Sequence, residues 1–140
     1  MREILFKAKR IDNGEWVEGY YLRDQYHIGG KDIIFYRKDS DRFTVYIDRI
    51  DIETLCQSTG LCDKNGKKIW ENDIFQYTDE TMVTQKDLIE YNETHASFVR
   101  LRNTEKLGLQ YLWIDEATCN HGEVIGNIFD NKELLQEEHK

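Results

Sequence analysis

Residues 4–23 read ILFKAKRIDNGEWVEGYYLR, two runs of mixed apolar and polar residues separated by Asp12-Asn13-Gly14. An approximate alternation of this kind is typical of β-strands, because successive side chains of a strand point to opposite faces. Asn and Gly both adopt positive φ, which a tight hairpin turn requires. The stretch therefore predicts an antiparallel hairpin with strands at residues 4–11 and 15–23.

Strand signals recur along the rest of the chain. Asn65-Gly66 gives a second hairpin signal between residues 60–62 and 67–70. The chain contains no proline, so its turns depend on Asn, Gly and Asp. Runs rich in β-branched and aromatic residues predict further strands at 26–28, 32–36, 43–48, 83–91, 96–102, 107–113 and 123–129.

Helix signals are sparse. Asp130 stands three residues before Glu133, a spacing that satisfies free N–H groups at a helix start, and Leu134-Leu135 follows. The sequence therefore predicts a mainly β protein, α+β at most, with one short C-terminal helix. Short strands and tight turns favour two small β-rich subdomains at residues 1–52 and 53–140. An SH3-like barrel is a candidate architecture for the second.

The composition is that of a folded chain without a membrane segment. Of the 140 residues, 39% are hydrophobic, which is too many for intrinsic disorder. No apolar run approaches the ~20 residues that span a bilayer, and charges flank residues 4–6, unlike the apolar core of a signal peptide. Three cysteines at irregular spacing favour a reducing compartment over a disulfide scaffold. We therefore expect a cytoplasmic protein without a membrane partner.

The charge is divided unevenly along the chain. Residues 1–70 carry 13 basic and 12 acidic residues, whereas residues 71–140 carry 6 and 15. An acidic second half repels phosphate backbones, so a nucleic-acid surface would have to use the first half. The basic residues available for such a surface are Lys7, Lys9, Arg10, Lys67 and Lys68. Without a motif they are more often solvated strand faces, so nucleic acid is the less favoured partner.

Candidate metal ligands are poorly spaced. Cys56 and Cys62 are separated by five residues, and Cys119 and His121 form only a short pair. Neither spacing is that of a zinc ribbon or finger. The sequence therefore predicts no metal and no cofactor, and it predicts buried, inert thiols.

Candidate catalytic groups are equally isolated. Ser58, Thr59 and Cys119 lie in no nucleophile-elbow context. Glu71 and Asp73 would share one face of a strand and could divide acid and base roles, but that spacing is also common where an acidic loop enters a strand. We therefore expect a protein that is not an enzyme.

One longer stretch is specific enough to indicate a family. Residues 53–77, ETLCQSTGLCDKNGKKIWENDIFQY, closely resemble the central signature of the YopX family of phage and prophage proteins. Stretches at 6–20 and 124–135 are also similar to that family, so the resemblance spans nearly the whole chain. The matching signature positions are Gln57, Thr59, Gly60, Leu61, Asp63, Lys64, Asn65, Gly66, Ile69, Glu71, Asp73 and Ile74.

The resemblance implies a β-rich fold and an origin in phages, prophages or other mobile elements. It transfers no catalytic residue, because the family has no established one. Asn72 stands where the family usually has glycine, and Asn also tolerates the left-handed conformation. A structural role is favoured for the signature set over an interaction surface: Gln57, Thr59, Gly60, Asp63, Asn65, Gly66, Glu71 and Asp73. In particular, we expect Ile69 and Ile74 in a core, and Asp73 accepting backbone N–H groups.

The favoured function is that of a self-associating protein-interaction module. The sequence predicts a homo-oligomer, with Trp16, Tyr20 and Tyr21 as candidate exposed contact residues. If the strand edges of the first hairpin stay open, they can pair with a neighbouring copy. A host or phage protein is a further expected partner. The alternative is a nucleic-acid-binding module that uses the aromatic and basic first half.

Overall fold

The computed structural model describes residues 3–24 and 31–135, apart from the side chains of Asp24 and Arg42. The strand predicted at 26–28 lies outside the described residues. Strands dominate the fold, which confirms the expected β-rich class. The chain divides into two compact units, Met1–Ser58 and Thr59–Lys140.

The N-terminal unit is an antiparallel sheet. Its strands are β1 (Phe6–Lys9), β2 (Trp16–Asp24), β3 (Lys31–Lys38), β4 (Asp41–Arg49) and the first residues of β5 (Cys56–Cys62), in the order β4-β3-β2-β1-β5. The predicted first hairpin is present, because Phe6 pairs with Gly19 and Lys9 with Trp16. Gly14 has φ 71°, as the tight turn requires. A short 3-10 helix, Ile52–Thr54, precedes β5.

One face of this sheet forms the core of the unit. Ala8, Val17, Ile34 and Ile50 are buried there and contact one another. Phe6 and Tyr21, on the same face of β1 and β2, pack against this core.

The first hairpin does not lie at a sheet edge, so the predicted pairing through its open edges is wrong. β1 pairs with β5 on its second side, through Phe6 with Gln57 and Lys7 with Cys56. β2 pairs with β3, for example through Tyr20 with Phe35. Both edges are covered by strands that come later in the chain, and the local pattern of the hairpin carries no signal of them.

The C-terminal unit is a second antiparallel sheet. β6 (Lys68–Trp70) lies beside β5 as the last strand of the first sheet. The second sheet has the order β10-β9-β8-β7-β11, and its strands are β7 (Asp73–Thr78), β8 (Thr84–Asn92), β9 (Ser97–Thr104), β10 (Gly108–Trp113) and β11 (Gly122–Asn127). Among the described residues the sheet is open rather than closed into a barrel, because β10 and β11 are its two edges. Ile69, Phe75, Ile89 and Cys119 form the core.

The helices are few and short. The C-terminal helix predicted after Asp130 is a 3-10 helix, Lys132–Leu135, within the described residues. A further helix, α1 (Glu116–Cys119), was not predicted from the sequence; Asp115 caps it by accepting the N–H of Thr118 at 2.8 Å. None of the described helices has the length and apolarity to cross a bilayer.

Candidate functional site

Asp63 organises the hairpin of the family signature. Its buried carboxylate accepts hydrogen bonds from the backbone N–H of Asn65 and of Lys67, each at 2.9 Å. The second carboxylate oxygen accepts the N–H of Val124, also at 2.9 Å, from β11. Gly66 has φ 79°, which completes the turn. One side chain therefore closes the turn and joins it to a distant strand.

Two further signature residues direct polar atoms at the backbone. The Thr59 hydroxyl donates to the carbonyl of Ile69 at 2.8 Å. The buried Asp73 carboxylate accepts the N–H of Trp70 at 2.8 Å, which is the role expected for it. Asn72 has φ 70°, so it takes the left-handed conformation expected for the position of the family glycine. Ile69 and Ile74 are fully buried, also as expected.

The remaining signature residues lie nearer to solvent. Gln57 and Glu71 are half-buried, and Gly60, with φ 83°, is exposed. Asn65 is exposed, and its side-chain amide donates to Glu123 at 3.3 Å. The choice between a structural role and a contact surface for the whole set stays a prediction, although Thr59, Asp63 and Asp73 have structural contacts.

The three thiols differ in environment. Cys56 is buried and its Sγ donates to the carbonyl of Thr54 at 3.3 Å. Cys119 is buried, and this burial, with a further contribution from Asp115, raises its pKa to about 11. Cys62 is exposed, which corrects the expectation that all three are buried. Within the described part of the chain, no group of three or more His, Cys, Asp or Glu is arranged to hold a metal ion.

We expect thiol labelling of the folded chain at pH 8 to modify Cys62 quickly and the other two cysteines slowly. Only Cys62 is accessible, and a pKa of about 11 leaves Cys119 almost entirely protonated at that pH. Mass spectrometry of peptides from a timed iodoacetamide reaction measures the three rates. Fast modification of Cys119 in the folded protein would contradict the structure. The control is the urea-unfolded chain, in which all three cysteines should react.

The face of the N-terminal sheet opposite the core is partly apolar, and much of it is open to solvent, although Ile33, which pairs with Leu22 on this face, is buried. Trp16, Tyr20 and Leu22 alternate along β2, and Tyr20 is aligned through Phe35 with Ile47 on β4. Tyr20, Leu22, Val45 and Ile47 are exposed, and Trp16 is half-buried. We call the surface formed by Trp16, Tyr20, Leu22, Val45 and Ile47 the outer face.

Basic side chains cover one end of the outer face. The Nζ atoms of Lys7 and Lys9 lie 4.5 and 5.5 Å from the centre of the Trp16 ring. Cation–π contacts of this kind favour a fixed position for the lysines over the indole. The amines therefore occupy the ring face that a stacking partner would use.

Tyr21 does not belong to this surface, which corrects the prediction that it is an exposed contact residue. It packs against the core on the opposite side of the sheet, and its hydroxyl donates to Asp32. Tyr20 and Tyr21 are neighbours on one strand, so they point to opposite faces and cannot both be exposed on the outer face.

The C-terminal sheet exposes a second apolar row, on β10. Leu109, Tyr111 and Trp113 are 56%, 56% and 67% exposed. All six residues of the strand pair in register with β9, from Gly108 with Thr104 to Trp113 with Val99. The strand has no charged residue, whereas exposed edge strands usually carry charges or bulges that prevent pairing. The alternation was visible in the sequence, but the edge position was not.

A buried ionic cluster lies on the opposite, core-facing side of this sheet. The fully buried Asp87 carboxylate accepts two hydrogen bonds from Arg102, at 2.7 and 2.9 Å, and one from Arg100 at 3.0 Å. Arg100 also donates to the carbonyl of Trp113 at 2.9 Å and lies over the Tyr77 ring. The cluster joins β8, β9 and β10. Its members are distant in the chain, so no local sequence pattern indicated it.

Comparisons with known proteins identify a family and a similar solved structure. A family model described as YopX protein matches residues 5–136. No curated protein matches the chain. Among solved structures, the crystal structure of protein EF1440 from Enterococcus faecalis is similar, with 25% identity and a TM-score of 0.55. The similarity covers 97% of this chain and 100% of that one.

Proposed function

The chain belongs to the YopX family, and we propose that it is a protein-interaction module that self-associates and does not catalyse a reaction. The observation that carries the proposal is the arrangement of exposed apolar side chains in rows on sheet surfaces. The outer face and β10 each present such a row. In this proposal the protein acts in the cytoplasm of a phage-carrying bacterium, where its three free thiols would stay reduced.

The buried centre of a protein interface is more apolar than the rest of the protein surface. Tyr and Trp are enriched there, and lysine and glutamate are depleted. Burying one large apolar side chain contributes roughly 1.5–3 kcal/mol, so a few such residues supply a large part of a specific contact. In the proposal the outer face binds a host or phage protein, with Trp16 and Tyr20 as contact residues.

The alternative function, nucleic-acid binding, is favoured by one observation, the two lysines beside Trp16. Aromatic and basic groups together are typical of surfaces that bind single strands. The same lysines cover the indole face, however, so a base would have to displace them before it stacked. The net charge of −8 also opposes a polyanion.

We expect sedimentation velocity to show association of the full chain at tens of micromolar, with little change between 50 and 300 mM salt. Apolar contacts are weakened far less by added salt than contacts with phosphate. A labelled single-stranded DNA in the same experiment tests the alternative. A monomer at about 50 µM, a concentration at which weak specific contacts are populated, would contradict self-association. DNA binding that weakens steeply with salt would favour the alternative instead.

A further inference from the structure

We propose that β10 is the self-association site, where it pairs antiparallel with β10 of a second copy across a two-fold axis at Tyr111. This inference rests on the proposed self-association and specifies its surface, symmetry and register. The outer face is then left for a different partner.

The described chain has four edge strands, β4 and β6 in one sheet and β10 and β11 in the other, and they differ in length and regularity. β6 has only three residues, and the pairing of β11 with β7 shifts between Val124 and Gly126. On β4, the pairing with β3 shifts between Tyr36 and Lys38, and the Asp41 carboxylate accepts the N–H groups of Phe43 and Thr44. An irregular strand whose N–H groups are already bonded is a poor template. β10 has neither feature along its six residues.

The faces of the sheet restrict the register. Opposite residues in a sheet share a face, so the exposed Leu109, Tyr111 and Trp113 must align with the same set in the second copy. A two-fold axis at Tyr111 aligns all three, with Leu109 opposite Trp113 and Tyr111 opposite Tyr111. Moving the axis by one residue along the strand, to Gln110, also aligns apolar residues, Leu109 with Tyr111 and Trp113 with the exposed Leu107, but Leu107 precedes the first pair of β10 with β9. The apolar pattern therefore favours Tyr111 only by keeping all aligned residues within the strand.

The charges that flank β10 favour the same register. With the axis at Tyr111, Lys106 before the strand lies toward Glu116 of the second copy, after the strand. With the axis at Gln110, Glu105 lies toward Asp115 of the second copy, two charges of the same sign. Opposite charges at the rim favour one orientation over another, while the aligned apolar row provides the contact. With the axis at Tyr111, the apolar row of the strand and the charges that flank it are therefore both self-complementary.

A cysteine cross-link tests the axis. In a Cys62→Ser background, which removes the exposed thiol, Tyr111→Cys should form a disulfide between copies on mild oxidation, because residue 111 faces itself across the axis. Leu109→Cys is the matched control, since Leu109 is equally exposed at 56% but would face residue 113. Equal cross-linking of both variants would overturn the register.

Charge exchange tests the same contact without a new cysteine. Lys106→Glu and Glu116→Lys should each weaken self-association about tenfold, whereas an equimolar mixture should recover it, since only the mixed pair restores both contacts. Tyr20→Ala, on the outer face, should leave self-association unchanged.

The outcomes separate the two proposals. If Tyr20→Ala abolishes association and the β10 variants leave it intact, the β10 contact is overturned but self-association stands. A monomeric wild-type chain would overturn both.

Discussion

Asp87→Ala should lower the free energy of unfolding by about 3–5 kcal/mol, because it leaves Arg100 and Arg102 buried without a counter-ion. The Asp87 side chain is fully buried, and its two arginines are only 10% and 14% exposed, so water cannot replace the lost carboxylate. The three residues also join β8, β9 and β10. Urea unfolding followed by tryptophan fluorescence measures the change.

Two variants control this prediction. Asp12→Ala removes an exposed carboxylate that also holds an arginine, Arg10, through two hydrogen bonds, and it should move the urea midpoint little. Replacing the whole cluster by apolar residues, as Asp87→Leu with Arg100→Met and Arg102→Met, should recover much of the lost stability, because no charge is then left unpaired. A loss in the triple variant equal to that of Asp87→Ala would contradict this explanation.

Asp63→Ala should have the second largest effect, a loss of about 3 kcal/mol or more. The substitution leaves the N–H groups of Asn65, Lys67 and Val124 without their acceptor. All three bonds are partly buried, and a donor that loses its partner away from water costs up to about 1–3 kcal/mol. Asp63→Asn keeps one carbonyl oxygen and should lose less than Asp63→Ala. The same urea experiment, with circular dichroism to confirm the fold, measures both.

Asp79 provides the matched control for Asp63. It accepts the N–H groups of Thr81 and Val83 in a similar turn, and the Thr81 hydroxyl bond holds its pKa below the ordinary value. Asp79 is only partly buried, however, whereas Asp63 is 5% exposed, so water can replace the carboxylate in Asp79→Ala and the midpoint should change little. Equal losses at Asp63 and Asp79 would show that burial of the aspartate does not decide the effect.

Several features of this protein follow from the sequence alone because they depend on neighbours in the chain. Gly14 and Gly66 supply the positive φ of the two turns, and the flanking alternation then specifies the hairpins. The burial of Ile69 and Ile74 and the backbone contact of Asp73 are likewise local. Membership of the YopX family also follows from the sequence, because the positions of the family signature have fixed spacing.

Other features were decided only by the tertiary structure, because they depend on which distant strands become neighbours. Pairing with β3 and β5 places the first hairpin inside its sheet. The same pairing sets which face is covered, and so exposes Tyr20 and buries part of Tyr21. The Asp87 cluster joins residues from strands that meet only in the folded sheet. Alternation along Gly108–Trp113 indicates a strand, but whether that strand is an edge depends on the order of the whole sheet, which no local pattern encodes.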